Sequence, residues 1–147
     1  MNHDGQFYET IFGMPLPPCL VKSIQEEAWM NLADSPRIEE VFGQAPVHPR
    51  FYSIAGIRGA TQWWREELDE ETLECYFGTS ADPAPPGHMS RTTTVIIGDL
   101  GPDLPFLLDY RGSLANPSVA FLGEANAWRE ISGNACDLIR LLSRQGG

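Results

Sequence analysis

Between Arg91 and Leu122 the chain carries three apolar runs, TTTVII, PFLLDY and SVAFL, set apart by GDLGPD and RGSLANP. Thr, Val, Ile, Phe and Tyr suit a pleated, half-buried surface. Gly, Asp, Asn and Pro in the gaps supply the positive or fixed φ that turns require. A parallel crossover takes a dozen or more residues, so runs this close must pair antiparallel. Residues 91–122 are therefore expected to form a three-stranded meander that the rest of the chain must cover. Alternation in the middle run places Phe106, Leu108 and Tyr110 on the covered face. Leu107, Asp109 and Arg111 fall on the opposite face or its rim.

The covering elements follow from apolar spacing. Leu20, Val21, Ile24 and Ala28 recur at helical intervals behind Pro18, which suits a first turn, so the spacing predicts a helix over 18–32. Asp34-Ser35-Pro36 ends it, and Arg37 to Phe42 add one more turn. Ahead of it, Phe7 and Ile11 are spaced for a short helix that Met14-Pro15-Leu16-Pro17-Pro18 must break. Phe51 to Ile54 reads as a short strand and Ala55 to Leu68 as a helix. Ile57, Ala60, Trp64 and Leu68 share one face of that helix, while Trp63 points about 100° away from Trp64 and sits at its margin. Leu73 to Phe77 suits a short strand or a last helical turn, and Thr79 to Ser90 an exposed loop. The cleanest period belongs to Ala135, Leu138, Ile139 and Leu142, a closing helix over 132–145 capped by Ser132 or Asn134. Helices flanking an antiparallel sheet give the class α+β, and 147 residues fit one domain whose residues 1–50 are its N-terminal helical part.

Twenty acidic against ten basic residues give a net charge of −10. Such a field repels nucleic acid, whose binding needs Lys and Arg, and favours a basic protein partner. The densest acidic cluster is Glu66, Glu67, Asp69, Glu70 and Glu71. Cys19, Cys75 and Cys136 are odd in number and form no CxxC pair, which predicts buried free thiols, with no disulfide framework or zinc site. No stretch approaches the ~20 apolar residues of a membrane helix. The first residues carry neither a basic start nor an apolar segment, so the expected compartment is the cytoplasm.

Ile97-Gly98-Asp99-Leu100-Gly101, Phe106-Leu107-Leu108-Asp109-Tyr110-Arg111, Asn116-Pro117-Ser118-Val119 and the ending from Trp128 to Leu142 together resemble the C-terminal half of the SUKH superfamily. That superfamily groups fungal cell-wall-synthesis regulators with bacterial immunity proteins. Leu16-Pro17-Pro18 and Tyr52-Ser53-Ile54 are similar to earlier family features, but no Asn-Gly dipeptide follows the Leu-Pro. The resemblance implies a sheet closed by a C-terminal helix. It further implies a non-enzymatic module that neutralises a cognate toxin by covering its working surface.

The residues themselves offer little catalytic chemistry. His3, His48 and His88 lie apart, with no HxH or HExxH spacing, so no metal is expected. No GxSxG elbow surrounds a serine, and Gly98 to Gly101 lacks the sequence of a phosphate cradle. Asp99 and Asp103 share a turn, where aspartates most often accept hydrogen bonds from turn amides. No catalytic residue or cofactor is assigned. The candidate partner surface combines the open sheet side and its turns, Asp99, Asp103, Asp109 and Arg111, with Trp63, Glu66, Glu67 and Glu70. An exposed edge strand of the meander leaves monomer and weak homodimer both open. The alternative is a small enzyme or ligand-binding domain with a pocket lined by Tyr52, Trp64, Asp99 and His88, and a third reading is a scaffold within a larger assembly.

Overall fold

The computed structural model describes residues 9–67, 78–79, 82–83, 92–101, 104–123 and 128–143. Its first element is a hairpin, where a short helix was expected. Thr10–Ile11 (β1) pairs with Met14–Pro15 (β2). Phe12 and Gly13 turn the chain at φ 51° and 82°, values that a right-handed helix excludes and a tight hairpin turn requires.

The helix expected over 18–32 is broken. Pro18–Gln25 (α1) buries Leu20, Val21 and Ile24, as their spacing predicts. Glu27 then adopts a left-handed φ of 65°. The chain restarts as Ala28–Asn31 (α2) and a 3-10 turn over Leu32–Asp34. The break leaves Ala28 exposed and turns Trp29 fully inward. Burying an indole removes far more apolar area from water than burying a methyl, which offsets the strained backbone. Ile38–Phe42 (α3) is the expected extra turn, ended by Gly43 at φ 79° in the left-handed conformation typical of helix C-termini.

Arg50–Phe51 (β3) leads into Ile54–Gln62 (α4), which widens into a π-helical turn over Trp63–Glu67. Ser53 caps α4 by accepting the Gly56 N–H at 3.1 Å. Gly78–Thr79 (β4) pairs with Asp82–Pro83 (β5) at the start of the segment read as a loop. The element expected over 73–77 and the remainder of 79–90 lie outside the described residues.

The meander forms as expected from Thr94–Asp99 (β6), Pro105–Asp109 (β7) and Ser118–Leu122 (β8), paired antiparallel. Trp128–Ser132 (β9), left unassigned in the sequence reading, adds a further strand. With β3 at the other edge, the five-stranded order is β3-β6-β7-β8-β9. The closing helix is Ala135–Ser143 (α5), with Asn134 accepting the Asp137 N–H at 2.8 Å. The fold is α+β.

A register shift in β6 falls between Ile96 and Gly98. A Cβ at Gly98 would lie 2.6 Å from the Arg50 carbonyl oxygen and clash with the Phe106 ring. Glycine is what allows these strands and that ring to approach so closely. Phe106 is the centre of the main core, with Trp29, Phe42 and Phe51 packed edge-on at centroid distances of 6.3, 5.0 and 5.1 Å.

Two further expectations are overturned. Among the described residues, the sheet side expected to be open is covered. Ile96, Leu107, Ala120 and Leu122 form a second core with Trp64 and Trp128, whose rings meet edge to face at 6.2 Å. That core closes because α4 runs along β6 beyond the end of two-residue β3. There the Thr61 hydroxyl accepts the Ile96 N–H at 3.1 Å, and the Trp64 indole donates to Thr94 Oγ1 at 2.8 Å. The second correction is that Cys19 and Cys136 are not buried free thiols. They form a disulfide, with Cys136 exposed and Cys19 half-buried. They stand 117 positions apart and meet only because α5 packs on α1. Cys75 lies outside the described residues.

Candidate functional site

The residues expected to make one partner surface separate into three groups. Asp99 ends β6 opposite Pro105, whereas Asp109 ends β7 opposite Thr94. At ~3.3 Å per residue the backbones of these two residues sit about 16 Å apart, at opposite ends of the strand pair. Asp103 and Glu70 lie outside the described residues.

Asp99 is not a surface residue. It is 5% exposed, and its oxygens accept from several donors. Arg50 approaches with Nε at 3.1 Å and Nη2 at 2.7 Å. The Gly101 N–H donates to Oδ1 at 3.0 Å, and the Tyr52 hydroxyl donates to Oδ2. Positioning follows from the fold: pairing of Arg50 with Asp99 in the β3–β6 register sets the two side chains beside each other. The Gly101 contact is the turn-amide bond expected of this aspartate. Burial, then the hydrogen bond to Asp99, pushes the Tyr52 hydroxyl well above the ordinary tyrosine value. The carboxylate raises the Arg50 guanidinium as well. A cavity of about 320 Å³ opens beside this cluster, lined by His48, Arg50, Asp99 and Gly101.

Of the pocket expected in the alternative reading, Tyr52 and Asp99 do meet. Trp64 instead bonds Thr94 at the far end of β6, and His88 lies outside the described residues. Arg50 and His48 were not anticipated in this role. No local spacing marks them, because Asp99, which pairs with Arg50 and lines the same cavity as His48, is some fifty residues further along the chain. Among the described residues, no three His, Cys, Asp or Glu side chains gather to hold a metal ion.

Asp109 is buried too and is paired with its own neighbour. Arg111 donates through Nε at 3.0 Å and Nη2 at 2.8 Å, and the Arg111 N–H donates at 3.1 Å. This local pair raises the Arg111 guanidinium, chiefly through the hydrogen bond to Asp109. A carboxylate so engaged has little acceptor capacity left for a partner.

The third group is open. The two tryptophans divide as their 100° separation predicts, Trp64 fully buried and Trp63 40% exposed. Glu66 and Glu67 are exposed on the same π-helical turn, a geometry frequent at functional sites. Arg65, half-buried on the same turn, donates to the Thr92 carbonyl at 2.8 Å and lies over the Phe12 ring at 4.8 Å. That anchors the turn against the start of β6 and the β1–β2 hairpin. No helix among the described residues is long and apolar enough to cross a membrane. No family model matches the chain, and neither does any curated protein or solved structure.

Proposed function

We propose that the chain is a non-enzymatic protein-binding module whose docking face is the π-helical turn that carries Trp63, Glu66 and Glu67. The observation that carries this reading is an exposed indole set among exposed carboxylates on an anchored turn. Tryptophan is a favoured anchor because it buries a large area with few rotatable bonds. Carboxylates around it select a basic surface, and the overall charge of −10 speeds the encounter. Asp99, Asp109 and Arg111 serve the fold in this reading and leave the interface.

The resemblance to SUKH immunity proteins supplies a partner class, a toxin such as a nuclease with a basic groove. A nuclease inhibitor of that kind acts where nucleic acid is, which places the chain in the cytoplasm. It acts as a monomer: the edge strand β9 exposes Arg129 and Glu130 and shifts register against β8, features that discourage further pairing. A ligand-binding reading is favoured by the cavity beside Arg50 and His48. It is the weaker one, because Asp99 is already engaged by Arg50, Tyr52 and Gly101.

The test is affinity capture from the native cell, with wild type beside a Trp63→Ala, Glu66→Lys, Glu67→Lys variant. One basic protein should be held by the wild type and lost by the variant, and the wild type should block its toxic activity. Equal capture by both proteins would remove this face from the reading. A His48→Ala variant that alone abolished capture or ligand binding would favour the cavity.

A further inference from the structure

The disulfide has a setting that a purely structural crosslink does not require. Cys19 is the second residue of α1 and Cys136 the second residue of α5. Both cysteines therefore belong to first helical turns, where the positive end of the helix dipole favours negative charge, although the Leu20 and Val21 N–H groups already donate to the Pro17 carbonyl and the Asp137 N–H to Asn134. A thiolate formed there is stabilised, and a thiolate that is a better leaving group departs faster in exchange. Cys136 is exposed, so an attacking sulfur can reach it without unfolding the chain.

The closing helix does not depend on this bond for its place. Ala135, Leu138 and Leu142 are buried in the main core. The Ser35 hydroxyl donates to the Leu142 carbonyl at 2.7 Å, at the opposite end of α5 from the disulfide. Opening the bond would therefore free the N-terminal turns of α1 and α5 from each other while the far end of α5 stays fixed.

We propose that Cys19–Cys136 is a reversible redox switch operated by small thiols of the glutathione class. A small-thiol sulfur attacks Cys136 Sγ, the S–S bond breaks, and its electron pair leaves on Cys19 Sγ. A second small thiol attacks the outer sulfur of the mixed disulfide and releases Cys136 as thiolate. Two small thiols are thereby oxidised to one small disulfide, and the protein pair is reduced by two electrons. In a thiol-rich cytosol the pair stands open, and a rise in oxidised small thiol closes it. This goes beyond the docking face and does not rest on it.

The experiment equilibrates the folded full-length chain in buffers of graded reduced and oxidised glutathione, traps it with an alkylating reagent, and maps tryptic peptides. The three cysteines fall in separate peptides, ending at Lys22, Arg91 and Arg140. The expected result is a Cys19–Cys136 bond that opens within the glutathione range, with transient adduct on Cys136 and a far-UV circular dichroism spectrum that does not change. A bond that stays closed until denaturant is added would overturn the proposal. So would adduct confined to Cys19, or loss of the folded spectrum as the bond opens.

Discussion

At Asp99 one carboxylate binds Arg50, Tyr52 and the Gly101 amide, and these partners do not depend on it equally. Arg50 keeps 68% of its side chain in solvent, so losing the pair returns it to water at small cost. The Tyr52 hydroxyl and the Gly101 N–H would lose their acceptor. Asp99→Ala is therefore expected to destabilise by about 1–3 kcal/mol, the cost of orphaned polar groups. Arg50→Ala should cost about 1 kcal/mol or less, as for an exposed partner. Urea unfolding of the two variants checks the order, and a larger loss at Arg50 would refute it. Two tyrosines extend the point to pH. Burial raises both Tyr52 and Tyr110 above 10.0, and the Tyr110 hydroxyl donates to the Pro15 carbonyl at 2.8 Å. Above pH 10.0 the unfolded chain releases these protons while the folded chain holds them. Their contribution is complete below that pH and declines as pH rises toward the raised values. Tyr52→Phe and Tyr110→Phe should each flatten the alkaline fall in thermal midpoint, and an unchanged profile in both would exclude this cause.

Among the elements, the ones written in local spacing were legible in the sequence. The three strands of the meander follow from β-branched and aromatic runs between turn segments, and the closing helix and the division between Trp63 and Trp64 from a period of 3.6 residues. The elements that depend on distant packing were not. β9 reads as Trp-Arg-Glu-Ile-Ser, with two charges in its middle, and becomes a strand only because β8 offers its edge. The end of the first helix was equally hidden. Glu27 has no propensity for a left-handed φ, and tertiary burial of Trp29 imposes it. The candidate site shared this limit. The exposure of Trp63, Glu66 and Glu67 was legible because it is local, whereas the pairing of Asp99 with Arg50, 49 residues away, was not. A left-handed non-glycine residue stores about 1 kcal/mol or more. Glu27→Gly relieves that strain at some cost in chain entropy and is expected to raise stability by up to about 1 kcal/mol. Chemical denaturation measures it directly, and a destabilised Glu27→Gly would show that the Glu27 side chain matters more than its backbone.

For the molecule as a whole, one covalent bond joins the N-terminal helical part to the closing helix across 117 residues. In the chain-entropy picture a loop of that length stabilises the folded state by about 5 kcal/mol, by limiting the unfolded ensemble. Whatever stabilises the reduced pair in the folded state must subtract from that figure, because fold and bond are thermodynamically linked. Thiolates at two helix N-termini each contribute about 0.3–1 kcal/mol. Serine in place of both cysteines removes the bond and the thiolates together. Reduced wild type should thus be more stable than Cys19→Ser, Cys136→Ser near pH 9, where thiolates form. Because the fold favours the thiolate, this advantage is present at high pH and disappears as pH falls. Near pH 6 the two reduced chains should unfold at the same urea concentration, both well below the oxidised protein. Coincident midpoints at both pH values would mean that the helix termini do nothing for the thiolates, leaving the disulfide as a plain crosslink.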